Sequence, residues 1–386
     1  MLSIIARVFV ILSLDAVLKK AMNSILILVA LTPLSAHSTN TEQMNQVLSS
    51  IKVFRVGSPM KAKALINTYG EHAALLPIPK QLEWHYNVIV VSNQLDDSSL
   101  AADAFERMAQ IFGMQQGREF QPTYLNYLGH FAMKNGDYSS AFNLYSCAID
   151  EVSDAKKLFS PVYSMAMVLM YDGNYSAVSE ILDSLERLAS RLKRNDWIAD
   201  VDNGYGVLAL YQGDYEKASE SFKNALDQYF TDANRNGELI ASVNVLLTSL
   251  LQGDVASLAG IKQRVIRLSQ LQSSSDIEIL VDWISLLEKS TDEAESETTD
   301  LAGLEASLSQ LSNSMVLKAI ADFILPAYKT EGEIDSIFAQ WRNQYQTPTP
   351  NQINAFSKVV GCDHNASADK NNALVSELVA AIEQAH

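Results

Sequence analysis

The chain has 386 residues, and its 29 Lys and Arg against 45 Asp and Glu give it a formal net charge of −16. With 48% hydrophobic and 19% charged residues, it has the composition of a folded globular protein and not of a disordered one. The acidic balance argues against nucleic acid as a partner, because phosphate binding needs a clustered Lys and Arg surface. Two cysteines exclude a disulfide framework and a four-cysteine zinc site.

An apolar stretch near the amino terminus has the pattern of a secretory signal peptide. Two lysines at positions 19 and 20 precede the apolar run 25–31, and Ala36 and Ser38 are the small residues that a signal peptidase requires. The run is too short to span a bilayer, which takes about 20 apolar residues. We therefore predict that residues 1–38 are a signal peptide and that the protein is exported, to the bacterial periplasm. An uncleaved segment would be its only attachment to a membrane.

Residues 1–16 fit this pattern poorly, because Arg7 and Asp15 interrupt an earlier apolar run. A start near Val17 or Leu18 would give a more regular signal peptide. The pattern therefore favours a natural start downstream of Met1.

An internal repeat with a period near 40 residues follows. Residues 136–138, 173–175 and 213–215 are Gly-Asp-Tyr, Gly-Asn-Tyr and Gly-Asp-Tyr, and residues 253–254 are Gly-Asp. Apolar residues on both sides of these turns recur at three- and four-residue spacing, which is typical of helices. The glycine can end one helix in the left-handed conformation, and the Asp or Asn can cap the next. Each unit is thus predicted to be helix, turn, helix; the β-branched run 88–91 is also predicted to be helical.

Two units carry a specific pattern of small and large residues. The first consists of Leu125, Leu128, Gly129 and Ala132, then Ala141, Tyr145 and Ala148; the second consists of Tyr205, Gly206 and Ala209, then Ala218, Phe222 and Ala225. This pattern resembles the tetratricopeptide repeat (TPR). We expect Gly129 to face Ala141 and Gly206 to face Ala218 across each helix pair, with Tyr145 and Phe222 filling the wedge between repeats. The units lack the proline of the family, and their period exceeds its usual 34 residues.

The predicted fold is therefore an all-α, TPR-like solenoid of helix-turn-helix repeats with a C-terminal helical extension. The repeat array is expected to cover residues 39–289. An acidic linker is expected at residues 290–300, where Asp and Glu lie among Thr and Ser. Further helical repeats or a helical cap are expected at residues 301–386.

No pattern in the sequence predicts catalysis, a metal or a cofactor. The Gly-x-Gly-x-x-Ala match at residues 204–209 lies inside a predicted helix and does not follow a strand, as a dinucleotide site would require. Oxygen-bearing residues alternate over 363–371 as at the start of a calcium loop, but Ala368 and Leu374 replace the glycine and the glutamate of that loop. We predict a polar loop there, no metal site, no cofactor and no enzyme.

The two cysteines are predicted to remain apart. Cys147 lies on the apolar stripe of a predicted helix, and Cys362 lies five repeats further along. Packed helices are about 8–10 Å apart, so a regular array would separate the two thiols by tens of ångströms. We expect no bond between them.

The first helices of three units share a face that carries polar, aromatic and thioether residues. Its predicted binding residues are Asn126, His130, Lys134, Tyr163, Met167, Tyr171, Asn203 and Tyr211. An amide such as Asn126 or Asn203 can both donate to and accept from an extended peptide backbone, and tyrosines add apolar area with a polar tip. The alternative is a solvated helix face.

The resemblance to TPR scaffolds implies a partner bound on the concave surface that first helices form. We therefore predict a non-catalytic scaffold or adaptor that binds a peptide or protein partner. Two alternatives remain open: a sensor module that binds a small ligand and signals to a membrane partner, and an enzyme or hydrolase accessory with an unrecognised C-terminal site.

Overall fold

The structure is a computed structural model, and the residues it describes are 40–95, 97–114, 116–152, 154–272, 275–290, 297–311, 313–344, 350–362, 378–380 and 382. The chain divides into two compact units, Met1–Gln43 and Met44–His386; only residues 40–43 of the first are described, and the architecture below is that of the second. The predicted signal peptide and the oxygen-rich loop at 363–371 lie outside the described residues.

All regular structure in the described part of the chain is helical, as the sequence predicted. The array comprises α1 Thr41–Gly57, α2 Pro59–Tyr69, α3 Ile78–Gln94, α4 Ser98–Gly113, α5 Gln121–Lys134, α6 Tyr138–Asp150, α7 Ala155–Tyr171, α8 Tyr175–Leu192, α9 Asn195–Tyr211, α10 Tyr215–Thr231, α11 Arg235–Leu251, α12 Val255–Gln272 and α13 Ser275–Ser290. Beyond it are α14 Glu297–Leu308, α15 Ser314–Phe323, α16 Glu331–Gln344 and α17 Pro350–Val359. Residues 297–300 of the predicted linker thus begin α14, and residues 291–296 are not described.

Consecutive helices pack as pairs, and the pairs stack into a TPR-like solenoid. From α3 to α12 each helix contacts the one before and the one after it, and the odd-numbered first helices α5, α7, α9 and α11 also contact their neighbours in that series. The even-numbered second helices form the other layer. None of the described helices is both long and apolar enough to cross a bilayer.

The repeated turns have the predicted conformation. The glycines at 136, 173, 213 and 253 have φ between 72° and 78°, a left-handed conformation that side chains with a Cβ rarely adopt. At three of these turns the residue after the glycine caps the following helix: Asp137 accepts from the Ser140 backbone N–H at 3.1 Å, Asn174 from that of Ala177 at 3.4 Å, and Asp214 from that of Lys217 at 3.1 Å. The Gly-Asp pair therefore ends one helix and starts the next.

The two first-helix glycines allow an aromatic ring of the paired helix to pack closely against them. A Cβ placed on Gly206 would lie 2.5 Å from ring atoms of Phe222, and one on Gly129 would lie 2.5 Å from the ring of Tyr145. These rings belong to residues one helical turn beyond Ala218 and Ala141, and the facing of the glycines with those alanines stays a prediction. Helical side chains lean toward the amino end of their helix, so each ring covers the space beside the preceding turn.

The chain after the array folds back onto it. Helix α15 contacts α5 and α13, and Ser314 Oγ donates to the Met133 carbonyl at 2.7 Å. Helix α17 packs against α4 and α5, where Tyr124 OH donates to the Phe356 carbonyl at 3.4 Å. Arg191 of α8 donates to the Ile382 carbonyl at 3.0 Å. We call residues 350–362, 378–380 and 382 the C-terminal strap.

Cys147 and Cys362 form a disulfide bond, with their Cα atoms 5.8 Å apart. The expectation that they remain apart is therefore wrong. It assumed that the chain continues the solenoid to its end, whereas the strap returns to the second helices near α4 and α6. Distance along the array then no longer measures distance in space.

Candidate functional site

The eight predicted binding residues lie on three neighbouring first helices, α5, α7 and α9, and we call them the first-helix row. Contacts between these helices join several members of the row. His130 Nε2 is 2.8 Å from Ser164 Oγ of α7, and the rings of Tyr171 and Tyr211 have centroids 6.0 Å apart. The structure thus brings the row together across one face of the array.

Three members of the row are buried: Asn126, Lys134 and Asn203 are 5%, 7% and 9% exposed. Each binds a neighbouring first helix. Asn126 Nδ2 donates to Ser160 Oγ at 3.0 Å, Asn203 Oδ1 accepts from Asn244 at 3.0 Å, and Lys134 Nζ donates to the Asn93 carbonyl at 3.4 Å. These groups fix the spacing of the helices beneath the face.

The other five members are only partly buried: His130, Tyr163, Met167, Tyr171 and Tyr211. Burial and, to a smaller extent, the positive charge of Lys134 lower the pKa of His130 to about 4. The imidazole is therefore neutral at neutral pH, with one nitrogen that donates and one that accepts.

The tyrosines of the row keep their protons. Burial raises the pKa of Tyr163 and of Tyr171 well above the usual range, and the negative charges of Asp200 and Asp322, respectively, act in the same direction. A protonated hydroxyl can still donate a hydrogen bond, so the partly exposed part of the row carries neutral donors and acceptors on apolar rings.

Helix α15 covers one end of the row. Tyr211 OH donates to Asp322 Oδ2 at 2.9 Å, and its ring lies 5.2 Å from that of Phe323. Lys318 Nζ is 6.0 Å from the ring centroids of both Tyr171 and Tyr211. The carboxyl ends of α7 and α9 are thus occupied by the chain itself, whereas Met167 remains partly exposed.

Three residues extend the row toward the amino terminus, and the sequence reasoning missed them. Tyr86 of α3 contacts Tyr127 of α5 with ring centroids 5.5 Å apart, and Tyr127 contacts His130 at 5.2 Å. The Arg55 guanidinium lies 5.4 Å from the Tyr86 ring and donates to Asn87 at 2.7 Å. The sequence did contain one signal for this extension: Asn87 lies about one repeat period before Asn126.

Two cavities lie outside the row. One of about 340 Å³ is lined by Tyr138, Lys318, Asp335 and Phe338 among others, beside the turn at Gly136. One of about 490 Å³ lies between α8, α9 and α10, with Asp183, Tyr205 and Lys217 in its wall. In the described part of the chain, no group of three or more His, Cys, Asp or Glu side chains could hold a metal ion.

No protein-family model matches the chain, and no curated protein matches it. Eight chains of solved structures do match. One of them is the crystal structure of Rap protein complexed with competence and sporulation factor, which shares 13% identity and a TM-score of 0.46 over 88% of this chain and 99% of that chain.

Proposed function

We propose that the protein is a non-catalytic, TPR-like scaffold that binds an extended peptide segment of a partner protein on the open part of the first-helix row. The observation that carries the proposal is the contiguous set of partly exposed rings and thioether across α3, α5 and α7. It consists of Tyr86, Tyr127, His130, Tyr163 and Met167.

The geometry of this face suits an extended chain. The bonds Asn126–Ser160 and Asn203–Asn244 hold the first helices in register. The protein therefore loses little conformational entropy when a peptide binds, and such preorganisation raises affinity. The neutral His130 and the protonated tyrosines offer donors and acceptors to a peptide backbone. Apolar ring area supplies the rest of the binding free energy.

Selection of random displayed peptides on the immobilised full chain tests the proposal. We expect a selected peptide to lose at least about tenfold in affinity, or about 1.4 kcal/mol, when Met167 and Tyr163 are changed to alanine together. The matched control is Met60→Ala, because Met60 is 54% exposed on α2 and lies away from the row. Failure to select any peptide, or equal affinity for the row variant and the control, would contradict the proposal.

A small-ligand sensor is the second candidate, and the cavity of about 340 Å³ is the observation that favours it. Lys318 and Asp335 offer opposite charges there beside the ring of Phe338. A cavity of this size is within the range of small-molecule sites. If the protein is a sensor, a small molecule added without any peptide should change the hydrogen exchange rates of the amides in α15 and α16. A scaffold that binds only peptides should show no such change.

We also propose that the protein is exported. The signal-peptide pattern at residues 1–38 supports this, and so does the disulfide, because such bonds persist in oxidising compartments. Intact mass of the protein recovered from a periplasmic extract should place its first residue between about 36 and 40. A protein recovered from the cytoplasm with Met1 retained would refute export.

A further inference from the structure

Helix α17 packs across the second helix α4 and the first helix α5 with one face inward. Ile353 is 2% exposed, and the Phe356 ring stacks on that of Phe105 of α4 with centroids 6.3 Å apart. Asn351, Asn354 and Lys358 are exposed on the other side of the helix. The furrow formed by α4, α5 and α6 therefore holds a short amphipathic helix.

This helix depends on its attachments for its order. It has ten residues, and isolated helices shorter than about 12–15 residues are marginal in water. Its anchors are the two inward side chains and the bond from Cys362 to Cys147 of α6. Cys147 and Cys362 are 4% and 7% exposed, so the strap also covers the bond that holds it.

We propose that the furrow is a second binding surface, specific for an amphipathic helix, and that the C-terminal strap is its removable cover, closed by the Cys147–Cys362 bond. The occupant seen in the structure defines the partner chemistry: a helix that presents an aliphatic and an aromatic side chain three residues apart, as Ile353 and Phe356 do. This surface is formed by the second helices α4 and α6 together with the first helix α5, which also carries Asn126, His130 and Lys134 of the first-helix row.

Opening the cover requires a dithiol reductant, which reaches the shielded bond when the short strap helix unfolds locally. One thiolate of the reductant attacks a sulfur of the bond, the S–S bond breaks, and a mixed disulfide forms. The second thiol of the reductant then displaces the protein sulfur, which leaves Cys147 and Cys362 as thiols and the reductant as its disulfide. Two electrons and two protons pass to the protein, and oxidation of the two thiols closes the cover again.

The first test compares the oxidised and reduced full-length wild type by amide exchange. We expect the amides of residues 350–361 to exchange at least about tenfold faster after treatment with dithiothreitol, while those of α6 keep their protection. Because no residue is changed, the comparison does not depend on a variant that folds. Equal exchange of residues 350–361 in the two forms would overturn the proposal.

The second test uses a labelled synthetic peptide of residues 350–361 as the probe helix. The full-length Cys362→Ser, Phe356→Asp variant leaves the furrow uncovered, and we expect it to bind the probe at least tenfold more tightly than the oxidised wild type. A probe with Phe356→Asp is the matched control and should bind neither protein. Equal probe affinity for the variant and the oxidised wild type would show that the furrow is not a binding surface.

Discussion

At the scale of the residue, the distance between paired helices depends on what stands beside the first-helix glycines. The Phe222 ring occupies the place where a side chain at residue 206 would begin. Gly260 of α12 is the opposite case, since a Cβ there would have no heavy atom within 4 Å. The sequence identified Gly206 as a packing position. It could not show that the Phe222 ring is the nearest neighbour of Gly206, because that depends on how side chains lean along the helix.

Gly206→Ala should destabilise the protein by about 1–3 kcal/mol, because the added methyl forces the Phe222 ring to move in a tightly packed interface. Gly260→Ala is the control and should be neutral or stabilise by up to about 1 kcal/mol, since alanine favours helix over glycine. Urea denaturation of both variants measures the difference. Equal midpoints for the two variants would contradict the assigned packing.

His130 makes stability depend on pH. Its pKa is about 4 in the folded protein against 6.5 for the free side chain, so the unfolded chain takes up the proton first as pH falls. The stabilisation is complete above about pH 6.5 and is lost as pH falls toward 4, at up to about 1.4 kcal/mol per pH unit. We expect the free energy of unfolding of His130→Asn to fall less steeply over this range.

Direct titration of the His130 imidazole by NMR gives an independent check. The ring should remain neutral in the folded protein down to about pH 4. A ring that titrates near pH 6.5 would show that water reaches His130 freely. The pKa of His85 is shifted in the same direction, because burial lowers it to about 4. His85→Asn is therefore the matched comparison.

At the scale of the element, the repeat turns were predictable and the position of α15 was not. A Gly-Asp pair acts on its own two helices, so turn and cap can be inferred from local sequence. Helix α15 contacts Tyr211, which lies more than a hundred residues earlier in the chain. The apolar residues of α15 predict that it packs against the protein, but they do not predict which helices it contacts. The repeat period carries no information about an element that leaves the repeat.

Tyr211→Phe should loosen α15, because Asp322 loses its hydrogen bond from the Tyr211 hydroxyl and keeps only Lys318, at 2.9 Å. We expect a loss of about 1 kcal/mol, measured as faster amide exchange in α15. Tyr205→Phe is the matched control: Tyr205 also lies on α9 and donates to a carboxylate, Asp183, at 2.5 Å. Equal changes in the amide exchange rates of α15 in both variants would show that the Tyr211–Asp322 bond does not hold this helix.

At the scale of the whole molecule, the predicted all-α solenoid is confirmed, whereas its closure by the C-terminal strap could not be inferred. In a repeat array each unit contacts its neighbours, so the sequence of one unit predicts the next. The strap breaks that rule by returning from residue 350 to α4 and α6. Its bond between Cys147 and Cys362 closes a loop with a sequence separation of 215, far outside any local pattern.

The same difference of scale explains what could be predicted of the site. Periodicity placed Asn126 and Asn203 on one face, and in the structure each amide bonds to the next first helix. It could not show that both amides are turned to neighbouring helices, since that depends on the rotation of α7 and α11. Exposure, and not periodicity, selects Tyr163 and Met167 as the residues open to a partner.

Methyl NMR of the full chain labelled at its methionine methyl groups tests directly whether a peptide binds on the first-helix row. Met167 lies in the open part of the row, whereas Met60 and Met114 are 54% and 55% exposed on other parts of the array. On addition of a selected peptide we predict a saturable shift of the Met167 signal, with Met60 and Met114 unmoved. Shifts at Met60 or Met114 with an unchanged Met167 signal would contradict a peptide site on the first-helix row.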